Sequence, residues 1–414
     1  MMCGHWRSFT VFFVAALLHA TVFANDTSQV AASNSALEAA YHQLKHGDTK
    51  QGLVSITQLA EDGDAVAQTL LGDIYASGHL VPQNFQTAAR WRTLAARQGD
   101  AIALNALGKH FAEGYGVPAD VVKAEQYLTA AAANGEAAFQ FDVGLLYDNP
   151  KLSVYNPERA VQWYQLSAAQ GYTAAQANLG MLLFEGRVVE QDLVRAKALL
   201  TQAAKAGHDA AQNNLGIMYV RGEGVDQNYE QAFYWFSEAA EQGHKAAMAN
   251  LAVMYDNGLG VAFNEEMAKQ LNRSAAQQSH NSLGAAIDTL DYTYDDRLRL
   301  PETNTDLTYL RQQAATQDPV ALYQLGWYWL QQAATPDYSL ARRMLEKAAA
   351  AGMRSAMFNL GLMSLKGRGV PQDFVQGYRW INQAAALNLP VAATARNVLL
   401  PFMTPKQLEQ AQSQ

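Results

Sequence analysis

Leu215-Gly216-Ile217-Met218-Tyr219 opens the stretch that decides how this chain folds. It runs through Gly222-Glu223-Gly224-Val225-Asp226-Gln227-Asn228 to Trp235, then to Ala239-Ala240 and Gly243. Stepping back from Gly216 by 36 residues gives Gly180, Gly144, Gly108 and Gly72, and stepping forward gives Ala252. Gly326 and Gly361 resume the series. Trp91, Trp163, Trp235 and Trp380 each precede two small residues, Ala95-Ala96, Ser167-Ala168, Ala239-Ala240 and Ala384-Ala385. Gly63, Gly99, Gly135, Gly171, Gly207, Gly243 and Gly352 close the units. A fixed period of this size marks stacked supersecondary units. The 414 residues are therefore to be divided by the repeat and not by an ordinary domain of about 150 residues.

Each landmark has a physical reason. Small residues at helical spacing, such as Ala65, Ala67 and Gly72, leave a groove that a second helix can enter, its Trp or Leu filling the space. The loops between the two helices, such as Gly114-Tyr115-Gly116-Val117-Pro118-Ala119-Asp120 and Gly367-Arg368-Gly369-Val370-Pro371-Gln372-Asp373, carry glycines able to take positive φ. Asn84, Asp120, Asn156, Asp192, Asn228, Asn264 and Asp373 then stand where an N-cap is needed. Each unit is thus a helix-turn-helix.

The pattern resembles the Sel1-like repeat of the tetratricopeptide superfamily, over about Ala36 to Leu389. The resemblance implies an all-α, right-handed α-solenoid of nine or ten helix pairs with capping ends. The expected organisation is a signal peptide over 1–24, a degenerate N-terminal repeat or cap over 25–64 and six repeats over 65–280. A degenerate repeat with an acidic, tyrosine-bearing insertion follows over 281–317, then two repeats over 318–389 and a capping helix and tail over 390–414. In that insertion, Asp288 to Leu300 replaces the first helix, and a second helix is readable from Thr303 or Asp306 to Ala315. Thr404-Pro405 reads as the N-cap and first residue of a final helix.

The apolar run Val11 to Leu18, followed by Val22-Phe23-Ala24, fits a secretory signal cleaved after Ala24. The run is short for a membrane span, and no later stretch of 18 apolar residues exists. A periplasmic or secreted product is expected. The formal charge of −8 disfavours nucleic acid, whose phosphates need a basic face. The one cysteine, Cys3, excludes a disulfide framework and Cys-ligated metal sites.

No Ser-x-x-Lys, Gly-x-Ser-x-Gly, His-Glu-x-x-His or P-loop motif is found, so neither catalytic residues nor a cofactor are expected. His208, His244 and His280 share one repeat position. They suit either a metal stripe or the turn position that Asp64, Asp100 and Glu136 hold elsewhere, and the turn is the simpler reading. Asn178, Asn214, Asn250 and Asn359 each stand two residues before the helix glycine position. The resemblance places them on the concave face, where amides can hold a peptide backbone; bonding between neighbouring repeats is the structural alternative. Trp327 is a candidate aromatic anchor, and Tyr292 and Tyr294, within the acidic stretch, are candidate contacts.

The resemblance implies a noncatalytic scaffold or adaptor of the bacterial cell envelope that binds a protein partner. The competing expectation is a secreted peptidoglycan- or β-lactam-interacting protein, binder or hydrolase, or a secreted effector.

Overall fold

The computed structural model describes residues 27–46, 48–277, 283–299, 304–331 and 336–413. The expected signal segment, 1–24, lies outside them. The first pair is α1 (Thr27–His46) with α2 (Thr49–Glu61). The regular units follow as α3 (Ala65–Ser77) with α4 (Phe85–Arg97), α5 (Ala101–Glu113) with α6 (Val121–Ala132), and α7 (Ala137–Tyr147) with α8 (Pro157–Ala169). They continue as α9 (Thr173–Glu185) with α10 (Leu193–Lys205), α11 (Asp209–Arg221) with α12 (Tyr229–Glu241), and α13 (Lys245–Asn257) with α14 (Glu265–Gln277). After the six-residue α15 (Leu283–Asp288) come α16 (Asn304–Ala315), α17 (Pro319–Leu330) with α18 (Tyr338–Ala350), and α19 (Arg354–Lys366) with α20 (Phe374–Ala386). The chain ends with α21 (Pro390–Leu399), a 3-10 turn at Leu400–Phe402 and α22 (Pro405–Gln412). No strand occurs among the described residues.

The predicted caps form. The side chains of Asn84, Asp120, Asn156, Asp192, Asn228, Asn264 and Asp373 each accept the backbone N–H three residues on, at 2.9–3.0 Å. Thr404 and Gln407 make a reciprocal capping box at the start of α22. Within each unit the glycine admits its partner helix, but the filling residue differs from the one the tryptophan spacing suggests. A Cβ on Gly216 would meet the Phe236 ring at 2.6 Å, and one on Gly108 would meet Leu128 at 2.6 Å. Tyr164 sits the same way over Gly144, and Leu200, Leu345 and Ile381 over Gly180, Gly326 and Gly361. The buried knob is the residue after the tryptophan. Positions 232, 236, 239 and 240 form one helical face at i, i+4, i+7 and i+8 and are buried, while Trp163, Trp235 and Trp380 flank that face half-buried.

The apolar core runs unit to unit through the array, as a one-dimensional stack requires. At the degenerate unit the stack changes character. α15 packs on α19 and α21, and Thr289–Arg299 crosses the last units without helical structure. The C-terminal end then meets the N-terminal units. Phe85 joins Tyr378, Leu399, Met403, Leu408 and Ala411 in one buried cluster. Gln83 N–H donates to Asn382 Oδ1 at 2.8 Å, and Asn382 Nδ2 returns a bond to Gln83 O at 2.9 Å. Arg396 donates to Gly78 O at 2.9 Å and to Ser77 O at 2.5 Å. The final helices therefore do more than cover the end of the stack: they fasten it to the loop between α3 and α4.

Candidate functional site on the concave face

The first helices of neighbouring units, α5 with α7 and α9 with α11, approach each other more closely than second helices do. At these two junctions the array thus curves with its first helices inside. The ladder positions lie on first helices, and one turn on from each stands a larger apolar residue: Met181 after Asn178, Ile217 after Asn214, Val253 after Asn250, Trp327 after Gln324, and the fully buried Leu362 after Asn359.

Two portions of this face differ. On α9, α11 and α13, Asn178, Asn214 and Asn250 are half-buried. Asn250 Nδ2 donates to Asn213 Oδ1 at 2.9 Å, and Asn213 Nδ2 reaches Asn214 Oδ1 at 3.4 Å. Asn213, next to the ladder, thereby links two repeats and leaves the Asn214 Nδ2 and Asn250 Oδ1 atoms outside that chain of bonds. Asn178 Nδ2 is buried without a well-formed hydrogen bond, beside the Tyr164 hydroxyl. Val253 is 56% exposed.

On α17 and α19 the same positions hold the chain's own residues 289–299. Asn359, fully buried, accepts Thr293 N–H at 2.9 Å and donates to Thr293 O at 2.9 Å. Tyr323 donates its hydroxyl to Thr293 O at 3.0 Å and accepts Asp295 N–H at 3.0 Å. Gln324 Nε2 donates to Arg299 O at 2.6 Å and to the Tyr294 hydroxyl at 3.1 Å. Tyr294 stacks on Tyr323 with ring centres 5.7 Å apart and lies 5.2 Å from Trp327. Lys366 and Arg368 stand over the Tyr292 ring at 5.8 and 5.7 Å, and burial pushes the Tyr292 phenol up to about 12.

Asn359, Trp327, Tyr292 and Tyr294 are thus brought together, while Asn178, Asn214 and Asn250 stand apart from them on the open portion. Sequence reasoning passed over Tyr323, Gln324 and Lys366. Gln324 had a signal, since it occupies the ladder register two residues before Gly326.

His208 and His244 serve as N-caps, each Nδ1 accepting the N–H three residues on, at 3.4 and 3.2 Å. His280 lies outside the described residues. Among the described residues no three His, Cys, Asp or Glu side chains gather as metal ligands, and no helix is long and apolar enough to cross a membrane. One buried polar group stands out where α4 meets α5. His110 Nδ1 meets Tyr115 O at 2.6 Å, its Nε2 faces Arg92, and Arg92 pairs with Asp73 at 2.7 Å. Burial, with help from the Arg92 charge, holds the His110 imidazole down at about 3.

The Sel1 repeat model matches residues 65–100, 101–136, 137–172, 173–208, 209–244, 245–280, 319–353 and 354–389. The chain belongs to the Sel1 repeat family. Sel1 repeat proteins are generally protein-interaction scaffolds of helical repeats. A protective antigen of uropathogenic Escherichia coli displaying this fold, c5321, is 28% identical with a TM-score of 0.54, over 92% of this chain and 83% of that one. A Sel1 repeat protein from Oxalobacter formigenes is 27% identical with a TM-score of 0.54, over 60% of this chain and 99% of that one. No curated protein matches the chain. The family model leaves residues 281–318 unmatched between its sixth and seventh repeats, and these include the segment that lies on α17 and α19.

Proposed function

We propose that this Sel1 repeat protein is a noncatalytic adaptor of the bacterial cell envelope that holds a partner protein on the open portion of its concave face, through Asn178, Asn214 and Asn250. The observation that carries this reading is the pair of hydrogen bonds between Asn359 and the Thr293 peptide group. A side chain in the same register already grips a peptide unit by both its N–H and its C=O, which any extended segment can offer. Asn214 Nδ2 and Asn250 Oδ1 are a donor and an acceptor in that register. The envelope setting is supported by the N-terminal run Val11 to Leu18 with Val22-Phe23-Ala24, whose pattern suits export.

The test is crosslinking and pull-down from the native envelope, with cell fractionation in parallel, comparing wild type with the double variant Asn214→Ala, Asn250→Ala. Two hydrogen bonds at about 1 kcal/mol each imply recovery of the partner reduced by roughly tenfold or more, beside the modest fall in melting temperature that loss of the Asn250–Asn213 bond brings. Undiminished partner recovery by the folded double variant would leave the two asparagines with bonding inside the array alone and sink the proposal.

A further inference from the structure

The segment on α17 and α19 is held in an unusual manner for packing within one chain. Its polar anchoring is mostly through backbone groups, with Leu290 buried in the apolar core beneath: Thr293 N–H and C=O, Asp295 N–H, Arg299 C=O and Leu290 C=O are taken by Asn359, Tyr323, Gln324 and Lys366. Tyr292 and Tyr294 remain half-buried, each seated in a place built for an aromatic ring, one beneath Lys366 and Arg368 and the other against Tyr323 and Trp327. The charges also complement one another in part: Asp288 and Asp291 lie near Lys366, which burial and Arg368 push down, while Asp295 is held chiefly by Arg297 of the same segment at 2.5 Å, with Arg354 a lesser partner. Backbone pairing, two ring seats and a basic rim describe a peptide site, here filled from within.

We propose that the groove of α17 and α19 recognises an extended, acidic, tyrosine-bearing segment of a partner protein, and that residues 289–299 occupy it in cis and compete with that segment. The proposal rests on the reading of the concave face as the partner-holding surface, but at a different place on it. A tethered occupant acts at an effective concentration near millimolar, so the wild-type site is closed to weak ligands in trans.

The probe is a fluorescein-labelled peptide with the sequence of residues 288–299, titrated against the full chain by fluorescence anisotropy. Thr293→Pro removes the N–H that Asn359 accepts and leaves both ring seats untouched. It is expected to raise affinity for the labelled peptide at least tenfold over wild type, and adding Asn359→Ala is expected to abolish that gain. The double variant Tyr292→Ala, Tyr294→Ala weakens the cis segment by a separate route, and its affinity should rise in the same sense if Thr293→Pro does not fold. Equal affinity of wild type and the folded cis-weakened variants would overturn the proposal, as would a gain that survives Asn359→Ala. Either result leaves the pull-down at Asn214 and Asn250 unaffected, so failure here is separable from failure of the adaptor reading.

Discussion

At the scale of single residues, the junction of α4 with α5 carries an ionisable cluster whose energetics can be measured. Arg92 takes the place over Gly72 that an apolar side chain holds in other units, and it is buried beside His110. A cation there must be paired, which Asp73 does at 2.7 Å, and a second cation beside it is disfavoured. His110 is therefore neutral in the folded chain, with its imidazole held at about 3 against an ordinary value of 6.5. The unfolded chain binds the proton first as pH falls. Stability is thus intact above about pH 6.5 and declines toward pH 3, by about 2 kcal/mol at pH 5 for this group alone. In His110→Gln, which cannot take up that proton, the fall in melting temperature between pH 7 and pH 5 should be markedly shallower than in wild type. Parallel melting curves for the two proteins would show that His110 does not contribute to the acid limb.

At the scale of elements, the repeat is a device for bringing two helices close, and Gly216 shows how tightly. A methyl group there would meet the Phe236 ring at 2.6 Å, so α11 and α12 must separate or the ring must leave its rotamer. Gly216→Ala is expected to cost about 1–3 kcal/mol despite the better helix propensity of alanine. Pairing it with Phe236→Leu should recover part of that loss, because Leu128 and Leu200 show leucine filling the same place beside Gly108 and Gly180. Thermal melts of the two single variants and the double variant give the coupling, and strict additivity would mean that the ring and the glycine do not interact. This part of the fold was legible because it repeats: glycine, double alanine and Asp/Asn cap recur in register, and each has a local cause. The tryptophans misled by one position because a large residue flanking a helical face recurs with the same period as the one buried in it. The segment after Asp288 was illegible for a different reason. Its hydrogen bonds run through backbone groups that every residue carries, so Thr293 leaves no mark in the sequence of being the residue that Asn359 holds.

At the scale of the whole molecule, the C-terminal helices meet the loop between α3 and α4, a contact that no single unit encodes. Gln83 and Asn382 pair across 299 positions, and nothing in either local sequence points to the other. The fastening is built from polar groups that are costly to bury unpaired. Arg396 is 4% exposed and bridges the carbonyls of Ser77 and Gly78, while Gln412 accepts Phe85 N–H at 2.9 Å. In a linear stack each unit depends on its neighbours alone, so releasing the fastening should loosen the ends and spare the middle. Arg396→Ala removes a forked donor, and Arg396→Lys supplies a point charge that cannot hold both carbonyls in the same planar geometry. Both are expected to increase the radius of gyration in small-angle scattering, the alanine variant more. Amide exchange should accelerate over residues 77–85 and 390–412, while α9 to α12 keep their protection. Loss of protection spread evenly through α9 to α12 would show instead that the ends and the centre form one cooperative unit, and that closure stabilises the whole array and not merely its two ends.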